Sequence, residues 1–439
     1  MNINKFFESC KAAGIETSEA SISKSSSLSI SLFHGEVDGY SNSSTSKILT
    51  RGIYKGKFGT CSTEKDDRTT IPYLVEGIKE TASLVENEDE SIIFKGSEKY
   101  HKKFIYNKAL DEWKTEDILK TLHALEDKCK NANPLVSEVQ VSFTKQNFES
   151  LLTNSYGLKL KSKGNFYYFY ASVLMKDKDE IKDMGDIFLS TDPNEFDIDK
   201  FVNNIVEKCL AKFHGTTIAP GTYKGVLNQD CVASLLEFLV SSLSSEEIQK
   251  HSSSLEGKLN QKVFSNKLTV YEKPLTKGPF FSYFDDEGVA TYNKELIKNG
   301  VIKTYLYNLT TAKKDNTTST GNASRQGSKI GISFSNLYLK PGKLNEDELF
   351  EKIENGVYIT DITGLHAGMN EQSGDFSLQA QGFHVENGKL AEPLTLITVG
   401  GNLFKLFDSV VAVGNNEKLI LSSSVTPSVA FNGLKISAE

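Results

Sequence analysis

No two cysteines of this chain form a C-x-x-C pair, and the five present, Cys10, Cys61, Cys129, Cys209 and Cys231, are odd in number. A disulfide framework and a cysteine-based zinc knuckle are therefore not expected, and the thiols read as reduced, mostly buried side chains of a cytoplasmic protein. Nowhere do about 18 apolar residues follow one another, so no membrane-spanning helix is expected. The first residues, MNINKFFESCKAAG, start an amphipathic helix and lack the apolar core of a signal peptide. Positive charge is in deficit: 50 Lys and Arg face 57 Asp and Glu, a net charge of −7. Such a chain has little attraction for a phosphate backbone, which argues against direct nucleic-acid binding. No repeat of fixed period is present.

What is present is ordinary in bulk. The chain has 439 residues, 38% hydrophobic and 24% charged. At about 150 residues per domain this predicts two or three domains, each able to fold without metal or disulfide. Phe6, Phe7, Cys10 and Ala13 share a helical face. So do Leu74, Ile78, Ala82 and Val85, then Ile118, Leu122, Leu125 and Cys129. A fourth stripe is Phe201, Val202, Ile205, Cys209, Leu210 and Phe213, with Asp197 or Asp199 as N-cap. Between the first two helices Leu28, Ile30 and Leu32 alternate with serines, and His34-Gly35-Glu36 and Lys55-Gly56-Lys57 mark turns. This predicts an antiparallel meander with one wet face. A second meander spans about Glu138 to Leu174 around an Asn154-Ser155-Tyr156-Gly157 turn. The acidic stretch 176–200 reads as a solvated loop leading into the fourth helix. The Gly- and Pro-rich segment 213–230 reads as a boundary, followed by one long apolar stretch, Cys231 to Leu243. Short strands and glycine turns fill the remainder, ending near Ser409–Val413 and Leu419–Ser422. The class is α+β in two domains, 1–215 and 216–439, the second strand-rich around a long helix.

Four segments invite chemistry. LVSSLSSEEIQKHSSSLEGK (239–258) places His251 four residues after Glu247, as a zinc helix would place two ligands one turn apart. Zinc needs three or four converging ligands, and one His with one Glu is an incomplete set, so an ordinary surface helix end is favoured. GLHAGMNEQSGDFSLQAQGFHVENG (364–388) holds His366, Glu371, Ser373, Asp375 and His384 among its glycines. Ser373, His366 and Asp375 suggest a triad, but Ser373 lies in no G-x-S-x-G elbow. A glycine-shaped turn is favoured, with Asn370 and Asp375 bonding local amides and Gly368 and Gly374 supplying left-handed backbone angles. FDDEGVAT (284–291) could offer carboxylates to a cation, but reads better as a turn with Gly288 at positive φ. TGNASRQG (320–327) could cradle an anion with Arg325 and its glycines, though no strand–G-x-G-x-x-G–helix context surrounds it.

Taken in order, these pieces resemble the TldD/PmbA family, also described as modulators of DNA gyrase. RGIYKGKFGTCST (51–63), FDDEGVAT, TGNASRQG, FSNLYLKPG (334–342) and GLHAGMNEQSGDFSLQAQGFHVENGKLAEPL followed by TVGGNLFKLF carry the resemblance. In the TldD branch two histidines five positions apart precede a Leu-Glu-Gly, and a cysteine near the C-terminus adds a zinc ligand. Here Leu255-Glu256-Gly257 is present, but counting back from it puts the two histidine positions on Ile248 and Ser253, and the last cysteine is Cys231. The resemblance therefore implies the PmbA, or TldE, branch: a zinc-free subunit of a TldD–TldE metalloprotease acting on small unfolded or modified peptides. It implies no catalytic residue and no metal here, with zinc in a TldD-like partner. His366, Asn370, Ser373, Gly374, Asp375 and Phe376 become candidates for lining a peptide track. A heterodimer is expected, or a homodimer when the chain is alone. The alternatives are an autonomous hydrolase on Ser373, His366 and Asp375, or a non-enzymatic modulator of gyrase or another protein.

Overall fold

The computed structural model describes residues 1–85, 92–327 and 329–438. Six strands build the first sheet: β1 (Ile15–Phe33), β2 (Glu36–Tyr54), β3 (Lys57–Thr63), β4 (Val136–Asn154), β5 (Lys159–Asp177) and β6 (Glu180–Ser190). They lie in the order β3–β2–β1–β4–β5–β6. Both two-residue loops of the first meander hold positive φ at each position, His34 and Gly35, then Lys55 and Gly56. That backbone twist suits a tight hairpin, and it is why glycine sits second in each. The two expected meanders are one sheet, because β1 pairs with β4 along its length, Ile30 opposite Phe143. The acidic stretch is corrected: much of it is β6, paired with β5 from Asp177–Glu180 to Tyr167–Ser190. Its polar side chains mask the strand, since an edge strand can remain half wet.

A strand turns alternate side chains to opposite faces. Ala20, Ile22, Leu28 and Ile30 therefore share one face of β1, and four helices cover that face. Helices α1 (Ile3–Ala12) and α2 (Thr70–Leu84) pack over Ala20 and Ile48. Helices α3 (Thr115–Asn131) and α4 (Ile198–Leu210) pack over Ile30, Phe143 and Phe169. Asp197 caps α4, its side chain accepting the Lys200 amide at 3.0 Å.

Beyond α4 the chain enters a second assembly. Strands β7 (Gly221–Leu227), β8 (Gly356–Thr363), β9 (Asp375–Glu386), β10 (Ile397–Asn402) and β11 (Val429–Ala438) join in the order β8–β7–β11–β10–β9. Pairing of β8 with β9 closes the ring. Helix α5 (Gln229–Ser241), the long apolar stretch, has Val232, Leu236, Leu239 and Val240 fully buried. An α-helix apolar nearly all round must lie inside a core, and α5 shares one with Val357, Leu378, Ile397 and Phe431 of the ring. A second six-stranded sheet of short strands adjoins it. The strand expected over Leu419–Ser422 divides there into Lys418–Leu419 and Ser424–Thr426, paired around Ser423 at φ 69°.

The two halves meet through buried charge. Glu19 and Arg51 lie opposite each other on β1 and β2, on the face away from the helices. Their side chains are 1% and 3% exposed, with Nε at 2.6 Å from Oε1 and Nη2 at 3.2 Å from Oε2. Arg325 reaches the same Glu19 from the second half, at 3.2 Å. Farther along the seam, the Lys418 ammonium lies 3.0 Å from both Asp186 and Asp230.

Candidate functional site

A cleft of about 340 Å3 opens beside the C-terminal end of α5. Phe238, Leu306, Ile332 and Phe334 give it apolar walls, and Glu246, Glu247, Glu371 and several serines give it polar ones. Two of the sequence candidates meet here. Ser254, after the short helix Ser245–Gln249, donates its hydroxyl to the Gln372 carbonyl at 2.7 Å across 118 residues of sequence. The zinc-helix segment and the glycine-rich loop therefore form two sides of one site.

Neither side carries a metal set. At the two positions where the resemblance places histidines, Ile248 is a buried core side chain and Ser253 is buried with its hydroxyl on the Ser242 carbonyl at 2.6 Å. Zinc requires imidazole, thiolate or carboxylate donors about 2 Å away, and these residues do not fit it. His251 does not substitute. The helix stops at Gln249, His251 takes φ 58°, and its ring is 77% exposed, bonded to Glu256 at 2.8 Å. Glu247 turns elsewhere and accepts the Ser252 hydroxyl at 2.6 Å. Among the described residues no group of three or more His, Cys, Asp and Glu side chains is arranged to hold a metal ion.

Several polar groups of the lining are already bonded within the chain. Ser241 and Ser242 donate to carbonyls one helical turn back, those of Glu237 and Phe238. Burial works against the charge of Glu246, but Lys250 at 2.8 Å and Lys329 at 3.5 Å outweigh it and hold the carboxyl below its usual range. Phe238, Leu306 and Ile332 were not singled out by sequence reasoning, because apolar residues at a wall carry no motif.

The glycine-rich loop is a turn held by its own side chains. Asn370 Oδ1 accepts the amides of Gln372 and Ser373, both at 3.0 Å. The Ser373 hydroxyl donates to Asp375 at 2.9 Å, and Asn402 donates to the other Asp375 oxygen at 2.9 Å. These two bonds, that of Asn402 first, hold the exposed Asp375 carboxyl below its usual range. Ser373 and Asp375 are thus brought together, but among the described residues no hydrogen bond joins His366 to either. His366 lies on the one-turn helix Leu365–Gly368 and is exposed. Phe376 is buried in the barrel core. His384 lies farther along β9, opposite Val357. Gly374 has the expected left-handed angle, φ 76°. Gly368 does not: what it supplies is space, since a Cβ there would meet the Ser377 carbonyl oxygen at 2.2 Å.

The other two candidates belong to the seam. In FDDEGVAT, Gly288 takes φ 84° and the Asp285 carboxylate accepts the amides of Glu287, Val289 and Ala323. Burial, then the charge of Glu287, pushes that carboxyl up to about 8, against the pull of those three amides. Arg325 of TGNASRQG turns its Nη2 to protein groups, donating to Glu19 at 3.2 Å and to the Asp286 carbonyl at 2.8 Å, while its Nη1 is buried without a hydrogen-bond partner among the described residues.

This architecture, two halves with a closed strand ring around a buried helix, is that of a metallopeptidase family. Residues 18–87, 108–213 and 220–438 match the PmbA/TldA metallopeptidase domain 1, central domain and C-terminal domain. The chain belongs to the PmbA/TldD family. It is 28% identical to an uncharacterized protein of Methanocaldococcus jannaschii over 99% of both chains. It is 31% identical to a metalloprotease of Methanothermobacter thermautotrophicus over 51% of this chain and 49% of that one. With a PmbA homolog of Buchnera aphidicola it shares 28% over 60% of this chain and 57% of that one. Among solved structures, a candidate modulator of a DNA gyrase from Thermotoga maritima superposes with TM-score 0.91 at 26% identity over 99% of both chains. TldE of Thermococcus kodakarensis has the same fold, TM-score 0.91 at 21% identity over 99% of this chain and 100% of that one.

Proposed function

We propose that this chain is the zinc-free, TldE-like subunit of a TldD–TldE-type metalloprotease acting on small unfolded or modified peptides. One observation carries the reading: a cleft stands beside the helix where the resemblance puts a zinc site, and its two histidine positions are Ile248 and Ser253. The chain supplies part of a peptide track, and the metal with its activated water belongs to a TldD-like partner. A strand-rich wall can hold an extended peptide through main-chain hydrogen bonds without reading its sequence. Neither nucleic acid nor membrane is a direct partner in this reading, and among the described residues no helix is long and apolar enough to cross a membrane. Five free thiols suit the reducing cytoplasm.

Casein or peptide cleavage tests this, assayed with the chain alone and with a TldD-like partner, each with and without a chelator. The expected result is no cleavage alone, cleavage with the partner, and its loss on chelation. Metal analysis of the purified chain should find no stoichiometric zinc, and one tightly held zinc per chain would sink the proposal. Chelator-resistant cleavage by the chain alone would instead favour a hydrolase on Ser373, His366 and Asp375. Made alone, the chain is expected to pair with itself, because closed two-fold pairing is the commonest way to cover a partner face. Light scattering at micromolar concentration should give a dimer mass, and a monomer mass would count against pairing.

A further inference from the structure

The cleft wall that bears Ile332 and leads to Phe334 belongs to a hairpin, Ala323–Gln326 with Lys329–Ile332, that forms a two-stranded sheet by itself. Two short strands with no further partner are marginal in water. At its base the hairpin is held by buried Asn322, which donates to Glu272 and to the Ser333 carbonyl, and the orientation of its strands depends on the anchors to either side. On the cleft side, Lys329 approaches Glu246 at 3.5 Å, and that lysine is 74% exposed, a contact worth little. On the other side the anchors run from an exposed carboxylate, Asp286, to buried ones, Asp285 and Glu19. The Ala323 and Arg325 amides donate to Asp285 at 3.0 Å and to Asp286 at 2.7 Å. The Arg325 side chain, 10% exposed, then crosses to Glu19 on β1, which Arg51 on β2 already grips in a fork. Bonds between ionised groups in a dry seam are the strong kind, and a planar guanidinium fixes direction as well as distance.

We infer that Arg325 is a positioning residue for the cleft, tying the wall formed by the 323–332 hairpin to the first sheet through Glu19 and Arg51. Among the described residues, the first half of the chain contributes none to the cleft lining. Through this strut it nonetheless sets the width of the groove in which, on the proposed function, a peptide lies. A shift of β1 against the second half acts on the hairpin and its Ile332 edge, while Phe334 lies between Ser333 and Ser335, which Asn322 and Glu272 hold within the second half.

Hydrogen exchange on the full-length protein tests the strut without requiring activity. In Arg325→Met the amides of Ala323–Gln326 and Lys329–Ile332 should exchange roughly tenfold or more faster, as expected for loss of a charge-assisted hydrogen bond. Amides of β7 to β11 should be unchanged. Arg325→Lys keeps the charge but loses the fork, and should restore part of the protection. Glu19→Gln, made in the other half, should loosen the same hairpin. Unchanged hairpin exchange in a folded Arg325→Met variant overturns the inference, and so does uniform acceleration across the whole chain. With a TldD-like partner, Arg325→Met should raise KM for peptide and spare kcat. If the wild type shows no partner-dependent cleavage, the functional reading fails while the exchange data still decide the strut.

Discussion

Gly374→Val is expected to lower thermal stability and partner-dependent cleavage together, whereas Ser373→Ala leaves most of both. Gly374 sits at φ 76°, where a Cβ crowds the backbone, and an ideal Cβ would lie 2.6 Å from the Phe404 ring. The left-handed angle costs a residue with a side chain about 1–2 kcal/mol, more for a β-branched one. Forcing the ring aside adds about 1–3 kcal/mol. Gly374 also accepts the Leu403 amide at 2.7 Å and donates to Asn370 at 2.8 Å, so its displacement distorts the turn that offers Gln372 to the cleft. Ser373 contributes less. Its hydroxyl makes two exposed bonds to Asp375, donating to the carboxylate at 2.9 Å and accepting the amide at 3.2 Å, and the turn keeps its Asn370 bonds without them. A triad serine behaves in the opposite way, since its loss removes turnover by orders of magnitude while the fold stands. Thermal melts and peptide cleavage with the partner, measured for both variants, decide. A fully stable but inactive Ser373→Ala would transfer the chemistry to this loop.

The legible parts of the fold were those whose physics is local. The stripe Ile118, Leu122, Leu125 and Cys129 predicts α3 because apolar residues every three or four positions must face a core, and all four are fully buried. Gly35 and Gly56 mark hairpins because both loops need positive φ. Strand β6 escaped because Glu180, Lys182 and Asp183 look like solvent-facing charge, and its pairing depends on β5 rather than on its own pattern. Ring closure escaped too. It rests on β8 meeting β7 in parallel and β9 antiparallel, two pairings that no local signal encodes.

The same division runs through the site. Asn370 bonds local amides as expected, because an Asx side chain reaches amides only a few residues away, whereas Asp375 accepts from the Ser373 hydroxyl and from the Asn402 side chain rather than from local amides. That this turn would face Ser254 follows only from the complete second half. Flanking glycines suggest an anion cradle at Arg325, and no local pattern points to the carboxylate its Nη2 reaches, Glu19, 306 residues distant. One of two glutamates in the serine-rich β1, Glu19 gives no local sign that it lies in a dry seam.

That seam supports the other large effect. Arg51→Ala is expected to destabilise the protein by about 3–5 kcal/mol, because removing one partner leaves a buried charge uncompensated. Glu19 would remain 1% exposed with only the single Arg325 contact at 3.2 Å in place of the fork. Burial alone would disfavour the Arg51 charge, but Glu19, and then Glu287 and Asp285, outweigh it and hold the guanidinium ionised. Its loss therefore also leaves those acids with one cation fewer. On the inference that Arg325 positions the cleft wall, the charge serves position more than stability, since well-packed apolar replacements of buried pairs are often neutral. Hence the double variant Glu19→Leu with Arg51→Met should recover part of what Arg51→Ala loses, the rest being withheld by Arg325, which then lacks its Glu19 partner. Urea unfolding of the three proteins measures this. An Arg51→Ala midpoint close to the wild type would show that water enters the seam and solvates Glu19. A double variant as unstable as the single one would show that the pair, rather than the burial of one unpaired charge, accounts for the loss.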